Sequence, residues 1–336
     1  MALVPSPAMI ALTLRGAGAV KPIAERTSVQ IDRLSGHDDG WTEAKFAIRT
    51  RGLASPVETS SVMGAEAAKA ALAAAGWAAG DVDVIVGACA VMEQPIPGTA
   101  CLIQAKLGLG ASGIPAFDVN ATCLSFLTAL DVVSLGMAAG RWKKALIVSA
   151  DIASAALDFS DPEASVIFGD GAAAVCVEAG GEGALLAYRL ETYGSGAEYC
   201  QLAAGGTRLR PHDDLDEFLA AARFRMDGPN LFREAARRFP RFLQRLMKES
   251  GVGLGDIDIV TPHQASAAAI EHLRRSLSGH GDKVFDIFAD HGNQIAASMP
   301  TALTRAIETG RVLRGDHVLL VGTAAGVSLG GAVLRY

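Results

Sequence analysis

The sequence predicts an α/β fold built from two similar halves. A helical stretch followed by Gly-Asp-x-Asp and an apolar strand occurs at residues 65–86 and again at residues 235–260. A second pattern, a helix followed by Gly-Arg and another apolar strand, occurs at residues 128–148 and again at residues 301–321. Each pattern lies about half the chain from its copy, which favours two related units over a long array of repeats.

The predicted strands are short, apolar and rich in β-branched residues. That composition is typical of sheets whose two faces are both covered, since a strand with one solvated face would alternate polar and apolar side chains. Strands that alternate with helices favour an α/β arrangement with a largely parallel sheet. We therefore divide the chain into an N-terminal half, residues 1–175, and a C-terminal half, residues 176–336.

The first segment and two insertions complete the predicted organisation. Residues 9–20 are mostly apolar and lack the charged segment and cleavage site of a signal peptide, so they predict a first strand. Residues 36–56, which contain Trp41 and Arg51, and residues 195–224 fall outside the repeats. We expect both stretches to lie outside the core, as insertions of the kind that often carry ligand contacts.

Composition and charge exclude several classes of protein. The formal charge is −6 over 336 residues, and no block of Lys or Arg marks a nucleic-acid partner. No uninterrupted apolar stretch reaches the length of a membrane span, so no membrane partner is expected. The five cysteines are scattered and lack metal-ligand spacing. A reduced, cytoplasmic protein is therefore predicted rather than a disulfide framework.

Cys123 is the candidate nucleophile of the N-terminal half. It follows an apolar run and precedes a helical stretch at residues 124–139 that has almost no charge. The N-terminus of a helix carries the positive end of the peptide dipoles, which favours thiolate over thiol. Thiolate is the nucleophilic form, so this position suits covalent catalysis. The alternative is a small core residue, since free cysteines are among the most buried residue types.

The C-terminal half offers two further candidates. His263 follows the predicted strand at residues 257–260, which Pro262 ends because proline cannot continue a central strand. Open α/β sheets bind ligands at such strand ends, although a loop or capping histidine fits the same pattern. Asn293 precedes a helix of small residues, either as its N-cap or, by the internal repeat, as the counterpart of Cys123. The repeat predicts that these three side chains converge.

A cysteine, a histidine and an asparagine at such ends can perform thioester chemistry. The thiolate attacks an acyl thioester and holds the acyl group, while backbone N–H groups bind the oxyanion. The N–H of Cys123 is one such donor, and the turn that contains Ala325 and Gly326 supplies another. His263 and Asn293 can donate to the enolate oxygen that forms when a malonyl group loses carbon dioxide. No metal or other cofactor is expected for these steps.

The chain resembles the β-ketoacyl-ACP synthase III family of thiolase-fold condensing enzymes along nearly its whole length. The matching motifs are DVNATC at residues 118–123, IFGDGA at 167–172, PHQA at 262–265 and HGN at 291–293. The resemblance implies a five-layered αβαβα thiolase fold made of two thiolase-like halves, and it implies a homodimer. It also implies a catalytic triad, which falls on Cys123, His263 and Asn293.

The resemblance implies substrates and three binding residues. The acyl donor would be acyl-CoA or acyl-ACP and the extender malonyl-ACP or malonyl-CoA, so coenzyme A and phosphopantetheine thioesters enter as substrates. Phe168 matches a pocket phenylalanine, with simple core packing as the alternative. Trp41 matches an aromatic residue that packs on the nucleotide of coenzyme A, with a local packing anchor as the alternative. Arg233 matches a docking position for acyl carrier protein, on a basic helix face that could equally be a solvated surface.

The sequence departs from the family pattern at several positions. Ala268 and Pro162 stand where the family has arginines for the carrier protein and the nucleotide, and Ala324 and Ala325 replace two glycines of a triple-glycine stretch. Ile96 stands where members of the head-to-head type carry a glutamate on a loop that reaches into the partner subunit, which argues against that reaction. These departures favour a specialised member over one that starts fatty-acid synthesis from acetyl-CoA.

Three functions are compatible with these residues. The first is decarboxylative condensation to a β-ketoacyl thioester in fatty-acid or secondary-metabolite biosynthesis. The second is acyl transfer from Cys123 to an oxygen or nitrogen nucleophile, and the third is a non-catalytic partner subunit. Asn293 separates the first two, because acyl transfer has little need of an amide that holds an enolate. The complete set of three residues argues against the third, so we predict the condensing enzyme.

Overall fold

Strands and helices alternate along most of the chain. The computed structural model describes residues 9–336, and within this range no helix is both long and apolar enough to cross a lipid bilayer. The strands are β1 (Ile10–Val20), β2 (Glu25–Thr27), β3 (Thr50–Gly52), β4 (Val84–Gly87), β5 (Ala116–Asp118), β6 (Lys144–Asp151), β7 (Gly171–Gly196), β8 (Cys200–Gln201), β9 (Arg225–Met226), β10 (Ile259–Pro262), β11 (His317–Ala324) and β12 (Gly326–Arg335). The α-helices are α1 (Ser28–Ser35), α2 (Trp41–Phe46), α3 (Ser60–Ala75), α4 (Thr99–Lys106), α5 (Ser125–Ala138), α6 (Pro162–Ser165), α7 (Leu215–Ala221), α8 (Gly228–Ser250), α9 (Ala267–Ser276), α10 (Phe288–His291) and α11 (Ser298–Glu308).

The long strand β7 joins two half-sheets. Its residues 172–178 pair with β6 on one side and with β1 on the other, and β6 continues through β4 to β5. Its residues 184–196 pair with β12, which continues through β11 to β10. The pairs β4–β5, β4–β6 and β10–β11 are parallel, as alternating strands and helices predicted. The expected boundary after residue 175 lies within β7.

Side chains on the strands alternate between a central core and two outer cores. Val86 of β4 faces the central core, whereas Ile85 faces the outer core beneath α3 and α4. In the other half-sheet, Leu320 of β11 faces the central core and Leu319 the outer core beneath α8 and α9. Helices α5 and α11 supply the central core and lie between the half-sheets. This order of layers confirms the predicted five-layered αβαβα fold.

The region expected as a first insertion is more deeply packed than the sequence indicated. Residues 36–56 contain α2 and β3, and Arg51 of β3 is completely buried. Its guanidinium donates a hydrogen bond to the carbonyl of Val166, and burial lowers the pKa of Arg51 to about 10. The expectation that this stretch lies outside the core is therefore wrong at Arg51. Its partner is a backbone carbonyl, which a sequence does not reveal.

Candidate active site

Cys123 lies in a tight turn between β5 and α5. The backbone of Thr122 is left-handed, with φ of 52°, a conformation that costs free energy for a β-branched residue. Ser125 stabilises the turn. Its hydroxyl accepts a hydrogen bond from the N–H of Ala121 at 2.9 Å and donates one to the carbonyl of Thr122 at 2.7 Å. The turn holds Cys123 just ahead of α5, where its side chain lines a cavity.

Two opposing effects act on the pKa of the Cys123 thiol. Burial raises it well above its ordinary value, and the backbone N–H groups of Cys123 and Ala325 lower it by hydrogen bonding to the sulfur. The sequence predicted only the favourable effect of a helix N-terminus, and that expectation needs correction because burial is the larger effect. Ala325 joins β11 to β12 and is one of the two residues of this turn that were expected, beside Cys123, to bind the oxyanion. The other, Gly326, lies in β12 outside the cavity wall.

His263 directly follows the last residue of β10. Its backbone N–H donates to the carbonyl of Val321 at 2.9 Å. Gly322 leaves room for His263, because a Cβ on that glycine would lie only 2.6 Å from the histidine Cβ. The imidazole is buried, and burial lowers the pKa of His263 to about 4. The ring is therefore neutral near pH 7 and keeps one N–H to donate.

Asn293 is held through both its backbone and its side chain. Its backbone N–H donates to the carbonyl of Ile167 at 2.8 Å. The side-chain oxygen accepts the N–H of Ile295 at 2.9 Å, and the side-chain nitrogen donates to the carbonyl of Ala265 at 3.3 Å. Because a backbone donor fixes the oxygen, the orientation of the amide is defined, and its second N–H is left for a ligand.

One cavity of about 710 Å³ brings the three predicted catalytic residues together. Cys123, His263 and Asn293 line this cavity, as the internal repeat predicted, and Phe168 lies in the same wall. The ring of Phe168 packs edge-on against Phe224 with 5.1 Å between centroids. Phe168 is therefore both a wall residue and a packed core residue, so its two interpretations are compatible.

The cavity is long and mostly apolar, and both halves of the chain contribute to it. Its wall extends from residues 90–95 of the N-terminal half to Phe232 on α8 and His272 on α9. Its volume lies within the range of small-molecule sites, about 300–1,000 Å³. Within residues 9–336, no group of three or more His, Cys, Asp or Glu side chains is arranged to hold a metal ion.

Trp41, the predicted nucleotide contact, lies outside the cavity wall. Its ring stacks on His37 with 3.7 Å between centroids and meets Phe46 edge-on at 5.4 Å. One face of the indole is therefore covered by another side chain of the same insertion. This arrangement fits the alternative that the sequence left open, a local packing anchor.

Ile96 and Arg233 also lie outside the wall, but each adjoins it. Ile96 is 87% exposed and directly follows the wall segment at residues 90–95. Arg233 is exposed beside Phe232 on α8 and donates a hydrogen bond to the side chain of Asn230 at 2.8 Å. Both side chains are therefore exposed at the surface beside the cavity and not inside it.

Most of the basic face of α8 is engaged within the chain. Arg237 and Arg238 both form ion pairs with Glu234, at 2.9 and 2.8 Å. Arg245 forms an ion pair with Glu191 of β7 at 3.2 Å. These charges already have partners within the chain. The ion pairs therefore disfavour a carrier-docking face that extends from Arg233 along the helix.

Sequence reasoning missed Asp151, a fully buried carboxylate at the end of β6. It accepts backbone hydrogen bonds from Ala90 at 2.8 Å, Val91 at 2.7 Å and Ala296 at 2.9 Å. Burial raises the pKa of Asp151 to about 7, although these N–H groups act in the opposite direction. The available signal was its place at the end of a buried strand. The same signal identified His263, which directly follows the end of β10 at Pro262.

Two family models match the chain. The model described as 3-oxoacyl-[acyl-carrier-protein (ACP)] synthase III matches residues 117–194. The model for the C-terminal part of the same synthase matches residues 247–336. The first range contains Cys123, and the second contains His263 and Asn293.

Individual proteins give the same result over nearly the full length. Beta-ketoacyl-[acyl-carrier-protein] synthase III of Neisseria meningitidis serogroup C is 33% identical over 327 residues, which cover 96% of this chain and 98% of the relative. The Bordetella petrii synthase is 38% identical over 297 residues, which cover 88% of each. The structure of the Aquifex aeolicus synthase matches with a TM-score of 0.87 at 32% identity, covering 97% of this chain and 100% of that one. OleA of Xanthomonas campestris matches at 0.83 and 20% identity over 98% and 100%, a likeness of fold alone.

Burial of His263 makes the stability of the protein depend on pH. The unfolded chain binds a proton at this residue below about pH 6.5, whereas the folded chain binds it only near pH 4, so stability falls as the pH is lowered through this interval. We expect His263→Gln to reduce the stability lost between pH 7 and pH 4 by up to about 3 kcal/mol, as measured by urea denaturation at each pH.

His291 provides a positive control for this measurement. Burial also lowers the pKa of His291 to about 4, so His291→Gln should reduce the same loss by a similar amount. If both variants lose as much stability as the wild-type protein between pH 7 and pH 4, the two imidazoles are not buried in the neutral form.

Proposed function

This chain belongs to the 3-oxoacyl-[acyl-carrier-protein] synthase III family of condensing enzymes, and we propose that Cys123, His263 and Asn293 carry its reaction. The observation behind this proposal is a single cavity with two kinds of polar group. A thiol lies beside two backbone N–H donors, and a neutral imidazole and an oriented amide line the same wall. The first set suits acyl transfer to sulfur and the second suits an enolate.

The first half-reaction loads the acyl group onto the protein. The sulfur of Cys123 attacks the carbonyl carbon of an acyl thioester, and the carbonyl oxygen becomes an oxyanion. The N–H groups of Cys123 and Ala325 bind that oxyanion, which lowers the barrier without any movement of the site. The intermediate collapses as the bond to the carrier sulfur breaks, and that sulfur takes up a proton in place of the one that the Cys123 thiol gave up, so the products are acyl-Cys123 and a free carrier thiol.

The second half-reaction forms the carbon–carbon bond. A malonyl thioester binds with its thioester oxygen toward the N–H donors of His263 and Asn293. Carbon dioxide leaves, and the two donors stabilise the enolate that remains. The enolate carbon attacks the acyl carbon on Cys123, the second oxyanion forms, and its collapse expels the Cys123 thiolate. The product is a β-ketoacyl thioester on the carrier of the extender.

The fixed orientation of the Asn293 amide disfavours the alternative function, acyl transfer to an oxygen or nitrogen nucleophile. Transfer of an acyl group to an alcohol or amine passes through an oxyanion but not through an enolate. The chain nevertheless fixes the oxygen of the Asn293 amide with a backbone N–H and leaves an amide N–H for a ligand. That arrangement has a use in decarboxylation and none in simple acyl transfer.

We propose that coenzyme A and phosphopantetheine thioesters enter the cavity as substrates and that an acyl carrier protein delivers the extender. The relatives are named for an acyl carrier protein, and the cavity extends to α8, where Arg233 is exposed. An exposed cation suits the acidic surface of a carrier protein. The five free cysteines suit a reducing cytoplasm, which we propose as the location.

We also propose that the protein is a homodimer. Within residues 9–336, the short strand β5 lies at an edge of the sheet, and an edge strand favours pairing with another chain. Met92 and Ile96 expose apolar side chains on the segment between β4 and α4, and Leu135 of α5 is also exposed. Burial of this surface in a second copy would remove it from water, and light scattering in solution measures the state directly.

Cys123→Ala and Asn293→Ala should separate the two half-reactions. Cys123→Ala should abolish covalent loading by every acyl donor, because the nucleophile is gone. Asn293→Ala should still load, whereas condensation should fall by roughly 10²–10³, the typical loss for one oxyanion donor. Intact mass spectrometry follows loading, and release of carbon dioxide from a malonyl thioester follows condensation. Full condensation by Asn293→Ala would remove the amide from the mechanism.

Arg233→Glu should slow turnover with malonyl-ACP and leave malonyl-CoA unaffected. The substituted carboxylate would face the acidic carrier, and exposed charges of this kind contribute about 0.2–1 kcal/mol each, so we expect roughly a fivefold fall in kcat/KM at low salt. Salt should reduce the difference. Arg311→Glu, at an exposed arginine three residues beyond the end of α11 and outside the cavity wall, is the charge-matched control. Equal rates for Arg233→Glu and the control with malonyl-ACP would show that the carrier docks elsewhere.

A further inference from the structure

A buried carboxylate connects the two halves of the active site. One oxygen of Asp151 accepts the N–H groups of Ala90 at 2.8 Å and Val91 at 2.7 Å, and the other oxygen accepts the N–H of Ala296 at 2.9 Å. Ala90 and Val91 belong to the cavity wall from the N-terminal half. Ala296 belongs to the single helical turn Ile295–Ala297 that leads into α11. Asp151 thus joins segments that are far apart in the sequence.

The turn Ile295–Ala297 also orients Asn293. The N–H of Ile295 donates to the side-chain oxygen of Asn293, and the next N–H, that of Ala296, donates to Asp151. The backbone of Ile295 is left-handed, with φ of 51°, which is unfavourable for a β-branched residue and has to be held by its surroundings. Any shift of this turn changes both hydrogen bonds together.

The surroundings of Asp151 require an acceptor at both oxygens. Every hydrogen bond that its carboxylate makes within residues 9–336 comes from a backbone N–H, and these N–H groups favour the ionised form against the burial that raises the pKa of Asp151 to about 7. An ionised carboxylate accepts on both sides, whereas an amide of the same shape presents an oxygen on one side and N–H groups on the other. In Asp151→Asn the oxygen would stay with Ala90 and Val91, which supply two donors. The amide nitrogen would then face the N–H of Ala296.

We propose that Asp151 is a positioning residue for the condensation step, whose carboxylate fixes the turn Ile295–Ala297 and so holds the Asn293 amide toward the malonyl thioester. Asp151 itself does not line the cavity, so it acts through Asn293 and not on the substrate. The inference rests on the proposed function, because it concerns the step for which Asn293 is needed.

The two half-reactions should respond differently to loss of the Asp151 charge. That negative charge is one of the causes that raise the pKa of the Cys123 thiol, so its removal favours the thiolate. The rate of acyl loading should therefore rise or stay unchanged. The rate of condensation should fall, because Asn293 loses its orientation. A residue that only stabilised the fold would slow both half-reactions together.

The test compares acyl loading with condensation in Asp151→Asn. We expect condensation to fall by about 10- to 100-fold relative to loading, less than the roughly 10²–10³ lost when a donor is removed outright. Loading is followed by intact mass spectrometry with saturating acyl-CoA, and condensation by carbon dioxide release from malonyl thioester. Thermal melting of each variant reports its stability.

Asp170→Asn is the matched control. Asp170 is also fully buried, but its carboxylate accepts from Ala54 and Ser154 and does not contact the turn Ile295–Ala297. Its contact with the Asn293 segment is a hydrogen bond from Gln294 to the backbone carbonyl of Asp170, which the substitution keeps. We expect this control to melt at a lower temperature with an unchanged ratio of condensation to loading. An unchanged ratio in Asp151→Asn, or the same change in both variants, would overturn the proposal.

A second variant covers the case in which Asp151→Asn does not fold. Asp151→Glu keeps the charge but displaces the carboxylate by one methylene, and the same selective loss of condensation is expected. If neither variant folds under conditions in which Asp170→Asn folds, Asp151 has only a structural role and the proposal is wrong. If the wild-type protein is not acylated at Cys123, the proposed function fails first, so the two failures are distinguishable.

Discussion

The packing of α5 and α11 between the two half-sheets determines where chemistry can occur in this protein. Both helices bury apolar side chains in the central core, and this packing holds each helix in place relative to the sheets. The segments that lead into them carry Cys123 and Asn293, and both segments line one cavity. β10 and β11 complete the site with His263 and the turn that carries Ala325. Apolar packing therefore places the proposed catalytic groups at the ends of buried elements.

Burial creates the chemical properties of the site as well as its shape. It lowers the pKa of His263 to about 4, which keeps the ring neutral and able to donate to an enolate. It also raises the pKa of the Cys123 thiol, and the N–H groups of Cys123 and Ala325 oppose that effect. In the proposed mechanism the same N–H groups bind the oxyanion, so one pair of donors would serve both the nucleophile and the intermediate. Desolvation and fixed donors thus act together at each catalytic group.

The sequence predicted the fold and the three convergent residues because both leave local signals. Strand composition and the repeat of Gly-Asp-x-Asp indicated two covered half-sheets, and strand ends indicated His263. The sequence did not reveal Asp151 or Arg51. Each of these buried charges forms hydrogen bonds with backbone groups, and every residue has a backbone, so no sequence pattern marks the partner. The sequence left Trp41 open between a nucleotide contact and a local packing anchor, and the stacking of Trp41 on His37 is visible only in three dimensions. The role proposed for Arg233 depends on a second molecule, which the sequence of this chain does not describe.

The central claim is that Cys123 carries the acyl group that a malonyl thioester then removes. It is tested by intact mass spectrometry of the wild-type protein, first with a panel of acyl-CoAs of different chain length and then with malonyl thioester added. We expect one acyl adduct per chain, mapped to the peptide of Cys123, which disappears on addition of malonyl thioester as a β-ketoacyl product and carbon dioxide form. An adduct on another residue, such as the cavity cysteine Cys200, or one on Cys123 that leaves to an alcohol or amine but not to malonyl thioester, would contradict it.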